Sequence, residues 1–333
     1  MLPSAMTPEQ FVEALYEICL GRRADADGKA HWVALIRATG DPTKVLQGIL
    51  DSEEYRKHSG GSANDCTAEI TRALAAVKRP IRIVDVGAQS LGAGTHPYDG
   101  LLKICDPEII GFDPLAQRLL ERAESEPSSR LTLLPYAVGD GGTYTFYVNN
   151  EDANSSFFPL DELHNARFNH ISQLRTVQTT QMTTRRLDEV LPEGPVDFLK
   201  LDTQGAELMI LKGAERTLSQ TATVHCEVMF SAMYVGEPLF PAVQEHLLSK
   251  NFELIDLLVS VRYSYLTPSG RSAPDRLLWA DAVFFRKTDD PETQRIQALI
   301  AAAVYQKPTL AEHLLVLSEG VEEEPCGSMR LRS

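Results

Sequence analysis

The stretch Val196–Ala214, VDFLKLDTQGAELMILKGA, constrains this chain more than any other. Val196, Phe198 and Leu201 are apolar while Asp197 and Lys200 interrupt the run, which reads as a strand. A turn follows through Asp202, Thr203, Gln204 and Gly205. Ala206, Glu207, Leu208, Met209, Leu211 and Lys212 then favour a helix, Leu208, Ile210 and Leu211 give it a buried side, and Gly213 ends it. A buried strand that delivers a polar tip into a helix is the way an open α/β sheet offers chemistry at its carboxyl edge. Asp202 sits at that tip. By itself the stretch leaves two roles open for it, helix cap or chemical group.

The same alternation recurs on both sides. Strands are expected at 81–88 (IRIVDVGA), 109–113, 131–134, 144–148, 179–184, 223–229, 252–258 and 282–286. Helices are expected at about 100–104, 115–123, 187–190 and 241–249. This pattern predicts an α/β domain over 80–287 with a doubly wound, mainly parallel sheet. Residues 149–180 are polar and irregular, and read as an insertion or lid.

Before this domain the periodicity changes. Thr7-Pro8-Glu9-Gln10 is a helix start with a capping Thr, Pro at the first helical position and Gln at the third. Phe11, Leu15, Ile18 and Cys19 follow at helical spacing and Gly21 stops the run. A turn at Asp25–Gly28 leads to a helix at about 29–38, a third helix after Pro42, and a short fourth at 52–55. Residues 1–60 therefore read as a small all-α domain. Ser59–Asn64 is a flexible linker that leads into a linker-and-helix segment at 61–79, whose helix is Thr67–Val77. After the α/β domain, 288–333 reads as a C-terminal helical arm, Pro291–Ala303 and Leu310–Leu317, with a Glu-rich tail.

Composition excludes some functions. The net charge of −14 lacks the clustered Lys and Arg that nucleic acid or an anionic membrane requires. The five cysteines are odd in number and widely spaced, which argues against a disulfide framework or a zinc site and fits a reducing cytoplasm. Neither a secretory signal nor an apolar run long enough for a membrane span is expected.

Asp85-Val86-Gly87-Ala88 closes the first strand of the α/β domain. The spacing of Gly87, Gly92 and Gly94 is not G-x-G-x-x-G, which argues against a pyrophosphate cradle and a nicotinamide-dependent oxidoreductase. A carboxylate at Asp85 suits a cationic ligand. Asp113, ending the next strand, suits a ribose diol, because a carboxylate accepts two hydroxyl hydrogen bonds. The alternative for both is a turn or cap role. At the far side of the sheet, Asp202 and then Glu227 are the candidate general bases. Lys200 either orients a carboxylate or is an exposed strand charge. His225 and His96 are weaker candidates, and Glu207 reads as a first-turn acid on its helix.

Two resemblances follow from these residues. Leu15-Tyr16, Leu20-Gly21-Arg22, Asp27-Gly28, Trp32 and Ser52-Glu53-Glu54-Tyr55 resemble a short bacterial helical domain of unknown function, which implies an accessory role and leaves room for a protein partner. Val84-Asp85-Val86-Gly87-Ala88, Gly111-Phe112-Asp113-Pro114, Ala137-Val138-Gly139-Asp140, Phe198–Asp202 with Gly205-Ala206-Glu207, and Leu211–Ala214 resemble the FkbM family of S-adenosylmethionine-dependent methyltransferases. Glu227 in HCEV and the closing Asp281-Ala282 fit the same pattern.

The resemblance implies S-adenosyl-L-methionine as cofactor, held by Asp85, Gly87, Ala88, Asp113, Pro114, Ala137 and Val138. It also implies methyl transfer to a hydroxyl of a sugar, glycan or small natural product, with Asp202, Glu227 and Lys200 as the catalytic set. The chain departs from the family at Gln89, where Asn is usual, at Thr203-Gln204, where Val-Glu is usual, and in the insertion. The second departure removes an acid, and no metal is expected. The competing expectation is a catalytically silent methyltransferase fold that serves as a binding module.

Overall fold

A computed structural model describes residues 7–40, 42–50, 52, 54, 66–89, 96–126 and 128–320. The expected linker at 59–64 and most of the short helix at 52–55 lie outside these residues, as does the loop 90–95.

The chain divides into two compact units, one comprising 1–81, 95–107 and 288–333 and the other 82–94 and 108–287. The first unit is helical. Its opening helix, Pro8–Leu20, carries the full capping box of Thr7 and Gln10 and ends at Gly21 in a left-handed conformation. The second helix starts at Ala26, three residues earlier than expected. The Asp25 side chain accepts from the Gly28 N–H at 2.8 Å and so caps it. With Thr43–Leu50 these helices enclose Phe11, Val12, Leu15, Tyr16, Val33, Ile36, Val45 and Ile49. In the same unit, Thr67–Ala76 packs against Pro291–Ala303 and Pro308–Ser318.

The described residues of the second unit hold nine strands: β1 (Arg82–Val86), β2 (Glu108–Phe112), β3 (Leu131–Leu134), β4 (Thr143–Asn149), β5 (Thr176–Thr183), β6 (Val196–Leu201), β7 (Thr221–Met229), β8 (Phe252–Tyr263) and β9 (Arg276–Arg286). Seven form one sheet in the order β3-β2-β1-β6-β7-β9-β8. Pairing is parallel from β3 to β7, and β9 runs antiparallel to both β7 and β8. The fold is thus the mainly parallel, doubly wound Rossmann-like architecture. Every residue of β6 and β7 is buried, as expected of central strands covered on both faces. Their aliphatic side chains, with those of β1 and the helix Glu207–Lys212, make one continuous core. Each fully buried aliphatic contributes about 1.5–3 kcal/mol.

The expected strand at 144–148 forms, but outside the main sheet. β4 pairs with β5, antiparallel, as a separate two-stranded ribbon, and Tyr147 makes a further bridge to Ser156. The sequence between them, including the 3₁₀ turn Asp152–Asn154 and the helix Glu162–Asn165, is joined by single bridges to the segments that follow β7 and β8, Leu160 to Tyr234 and Phe168 to Tyr265. Successive connections run away from β1 in one direction and from β6 in the other. The gap above their adjoining carboxyl ends is therefore the topological switch point of the sheet.

Among the described residues no helix is long and apolar enough to cross a membrane.

Candidate functional site

A cleft of about 720 Å³, counted out to its open mouth, lies above the ends of β1, β2 and β6. One wall is the turn after β1, with Gly87 and Gln89. Another is the end of β2, with Phe112, Asp113 and Pro114, beside Tyr136, Ala137 and Val138. Asp202, Thr203, Gln204 and Ala206 close the β6 side. The insertion and β4 supply the last wall, with Phe146, Ala153, Ser155 and Phe157.

Gly87 is required by the way β1 and β6 finish together. Its φ is +81°, and a Cβ there would stand 1.9 Å from the Asp202 carbonyl oxygen. The Asp202 N–H in turn donates to Val86 O at 3.1 Å. The two tips are thereby stitched into one ledge.

Of the residues expected to hold the cofactor, Gly87, Asp113, Pro114, Ala137 and Val138 line the cleft. Asp85 and Ala88 do not. Asp85 is fully buried, and its carboxylate meets the Arg122 guanidinium at 2.8 Å and Lys200 Nζ at 3.2 Å. The cationic partners of Asp85 are thus supplied by the protein itself. Ala88 is also buried, against Gly111, and its carbonyl accepts from Arg122 Nη1 at 3.3 Å.

Asp113 is 3 % exposed, and its Oδ1 accepts from the Leu115 N–H at 2.7 Å. Burial pushes its carboxyl up to about 6, against the pull of that N–H.

The three residues expected to be catalytic form a graded series. Asp202 opens onto the cleft with a side chain 41 % exposed. Lys200 is buried, so the reading of an exposed strand charge does not apply. Its ammonium donates to Gly87 O at 2.8 Å and faces Asp85 at 3.2 Å and Asp202 at 3.6 Å. Burial opposes its charge, but the two aspartates hold its basicity above the ordinary lysine value. Glu227 lies behind Gln204 and off the cleft wall. Its Oε2 accepts from Gln204 Nε2 at 2.9 Å, and burial, with Asp202 nearby, raises its carboxyl well above the usual range.

Glu207 does not reach out to the cleft. Its Oε1 accepts from the Thr203 N–H at 2.7 Å and the Thr203 hydroxyl at 3.0 Å, closing the loop from within. Burial pushes it up to about 7. His225 stacks on Phe198 and faces Asp281 at 3.6 Å. His96 belongs to the helical unit, where it stacks on Tyr98. Among the described residues no group of three or more His, Cys, Asp or Glu side chains is arranged to hold a metal ion.

Sequence reading overlooked Arg122 and the aromatic wall. Arg122 is the largest fully buried side chain and lies in the middle of the helix Ala116–Ser125, where an exposed position would read the same. Phe146 and Phe157 belong to β4 and the insertion, and only the path of the ribbon brings them over the sheet.

The donor set fits a nucleoside carrying a positive charge. Asp113 offers a carboxylate at the end of β2, Phe112 and Tyr136 offer ring faces 6.4 Å apart, and Asp202 offers a second carboxylate across the cleft. The described lining contains no Lys, Arg or His.

The chain is similar in part to several known proteins. The helical unit matches a domain of unknown function, DUF4214, over residues 3–59. A curated relative, the 2-O-methyltransferase NoeI of Sinorhizobium fredii (strain NBRC 101917 / NGR234), is 28% identical over 141 residues. That alignment covers 40% of this chain and 57% of the relative, so the chain spans little more than half of that protein's length. Among solved structures, magnesium protoporphyrin IX methyltransferase from Synechocystis PCC 6803 aligns over 80% of this chain and 100% of its own, at 10% identity and a TM-score of 0.32. The 1,6-didemethyltoxoflavin-N1-methyltransferase of Burkholderia thailandensis aligns over 74% and 89%, at 12% identity and a TM-score of 0.32. The Methyltransferase FkbM domain matches residues 85–254, from Asp85 through the cleft walls to the start of β8, and the chain belongs to the FkbM family of S-adenosylmethionine-dependent methyltransferases.

Proposed function

We propose that the protein is an O-methyltransferase whose acceptor is an uncharged hydroxyl compound, a sugar, a glycan or a related small polar metabolite. The observation that carries this reading is the placement of Asp202. It and Asp113 are the only charged side chains on the described cleft lining, and they stand on separate strand ends. Asp113, deeply buried at the end of β2, is suited to a ribose diol. That leaves Asp202, the more exposed of the two, for the acceptor. With two carboxylates on the lining and the nearest cation, Lys200, buried behind Asp202, the cleft offers nothing to pair a phosphate or carboxylate on the acceptor. The 2-O-methyltransferase relative supports oxygen as the target.

When bound, S-adenosylmethionine supplies an electrophilic methyl group on a sulfonium. The residues that would hold it are Gly87, Asp113, Pro114, Ala137 and Val138, with Phe112 and Tyr136 flanking. The chain's own contribution is alignment and proton handling. Alignment of two bound reactants is worth on the order of 7–11 kcal/mol at best. Asp202 Oδ2 faces Lys200 at 3.6 Å and Oδ1 accepts from Gln204 at 3.2 Å, so its carboxylate is held from two sides. In that position it accepts the hydroxyl proton of the acceptor, a role worth about 10²–10⁴-fold. Glu227 is a support for Gln204 in this reading and does not exchange protons with the acceptor. β4 and the insertion wall the cleft on one side with Phe146, Ala153, Ser155 and Phe157.

The helical unit is an accessory domain in this reading, with a protein partner as its counterpart. The wide spacing of the cysteines supports a reducing cytoplasm as the site of action.

The test has two steps. Calorimetry with S-adenosylhomocysteine should show one site. Labelled methyl transfer to a panel of neutral glycosides and oligosaccharides should then find an acceptor, with uronic acid analogues inactive. Absence of cofactor binding would overturn the enzyme reading in favour of the silent binding module. Preference for the anionic analogues would overturn the acceptor assignment.

A further inference from the structure

Gln204 has an unusual environment for a surface-loop glutamine. Its φ is +55°, in the left-handed region that a residue of this size seldom adopts. Its backbone is tied to the insertion, and its side chain to Tyr234, which itself bonds the insertion at Asn154. Its carbonyl accepts from the Ser156 hydroxyl at 2.6 Å. Its Oε1 lies 3.0 Å from the Tyr234 hydroxyl, which is also 2.8 Å from Asn154 O. Tyr234 is itself fully buried. Oε1 shares the single Tyr234 hydroxyl proton with Asn154 O, and the amide nitrogen faces the other way, where it donates to two carboxyl groups, Asp202 Oδ1 at 3.2 Å and Glu227 Oε2 at 2.9 Å.

Backbone strain of this kind persists only where the surroundings enforce it, and here it aims a side chain. An amide is the one common side chain that can accept from Tyr234 on one end and donate twice on the other. A glutamate at 204 would set a third acid beside Asp202 and Glu227. Without the amide, Asp202 keeps Lys200 on one oxygen and loses its tether on the other, which faces solvent.

We infer that Gln204 is a positioning residue: it aims the Asp202 carboxylate across the cleft, using Tyr234 and the insertion as its anchor. The inference rests on the proposed reading of Asp202 as the group facing the reacting end of the cofactor.

The test uses binding to the full chain and needs no acceptor. Sinefungin carries an ammonium in place of the methylsulfonium, and S-adenosylhomocysteine is neutral at that position. The ratio of their affinities, measured by calorimetry, reports whether a carboxylate faces that point. Asp202→Asn should lower the preference for sinefungin by about tenfold, the scale of one charge-assisted hydrogen bond. Gln204→Asn retains an amide and suits the left-handed backbone better than Gln, but it is one methylene too short to reach both acids. It should lower the ratio nearly as far as Asp202→Asn while leaving S-adenosylhomocysteine affinity within about twofold. Tyr234→Phe, which frees Oε1, should give a partial loss.

If position 204 matters only through its backbone, Gln204→Asn keeps the wild-type ratio, and that result beside a lowered ratio in Asp202→Asn overturns the inference. An unchanged ratio in Asp202→Asn overturns the reading of Asp202, and the inference with it. Should Gln204→Asn fail to fold, an unchanged ratio in Tyr234→Phe overturns it equally.

Discussion

Asp85 and Asp202 share one lysine and do opposite work. Asp85 lies in the middle of the sheet, with no exposure and two cations against it. Asp202 stands one strand away at the carboxyl edge, with 41 % of its side chain exposed. Lys200 reaches from one to the other and also holds Gly87 O. The difference teaches where a carboxylate stops being architecture. A buried acid between two cations has its charge fully committed, whereas an acid at the edge, held on each oxygen but open to the cleft, has charge left for a substrate.

The sharpest break of the comparison is to remove each acid in turn. Asp85→Ala removes the buried counter-charge of two buried cations and leaves them only partly exposed acids, Glu126 for Arg122 and Asp202 for Lys200, so it should cost about 3–5 kcal/mol of stability. Chemical denaturation would show it, or no folded protein would be recovered. Asp202→Asn should leave the denaturation midpoint within about 1 kcal/mol of the wild type, since the lost ion pair is partly solvated. Its methyl-transfer rate should fall by about 10²–10⁴-fold. If the two variants exchanged these phenotypes, the assignment of roles would be reversed.

A smaller effect separates the two acids that line the cleft. Asp113 titrates at about 6, above the ordinary aspartate value, because it is buried. Its charged form is the one that accepts from two hydroxyls. Cofactor affinity should therefore be highest above pH 6 and fall as the pH drops through that value, as calorimetry between pH 5 and 8 would show. Asp113→Asn should bind weakly and remove this dependence.

The smallest effect sharpens the same lesson at Glu237. Its Oε1 accepts from the Met233 and Tyr234 N–H groups, while its Oε2 is buried without a partner. Burial pushes it up to about 7. A carboxyl whose folded value is raised binds more protons in the native state than in the unfolded chain. Stability should therefore fall as the pH rises from the ordinary glutamate value toward 7, then level off. Glu237→Gln keeps the accepting oxygen and removes the charge. It should raise stability at pH 8 by roughly 1–2 kcal/mol and have little effect near pH 5, measured as a shift in denaturation midpoint.

Much of this architecture is legible in the residues. The strand-turn-helix of Val196–Ala214 forms as its polarity predicts, and the capping box at Thr7 starts the first helix where it should. Asp113 and Asp202 each follow a buried apolar run and directly precede a turn, which places them at the ends of β2 and β6. Lys200 and Glu227 were visible as candidates, but their depth was not. A lysine between Leu199 and Leu201 could lie at an edge or at the centre of a sheet, and strand order alone decides which. Arg122 was illegible for a related reason: its helix is strongly polar, so one buried arginine leaves no trace in the periodicity.

The sequence by itself determined that a strand would carry Asp202 to a sheet edge and that Asp113 would end another, because apolar runs and polar tips act locally. It also determined the family, through VDVGA, GFDP and LKLD. The tertiary structure alone decided which acids face the cleft. Charge pairing across strands commits Asp85 to Arg122 and Lys200, and the route of the β4–β5 ribbon brings Tyr234, Ser156 and Gln204 together. These are contacts between residues far apart in the chain, and no local pattern encodes them.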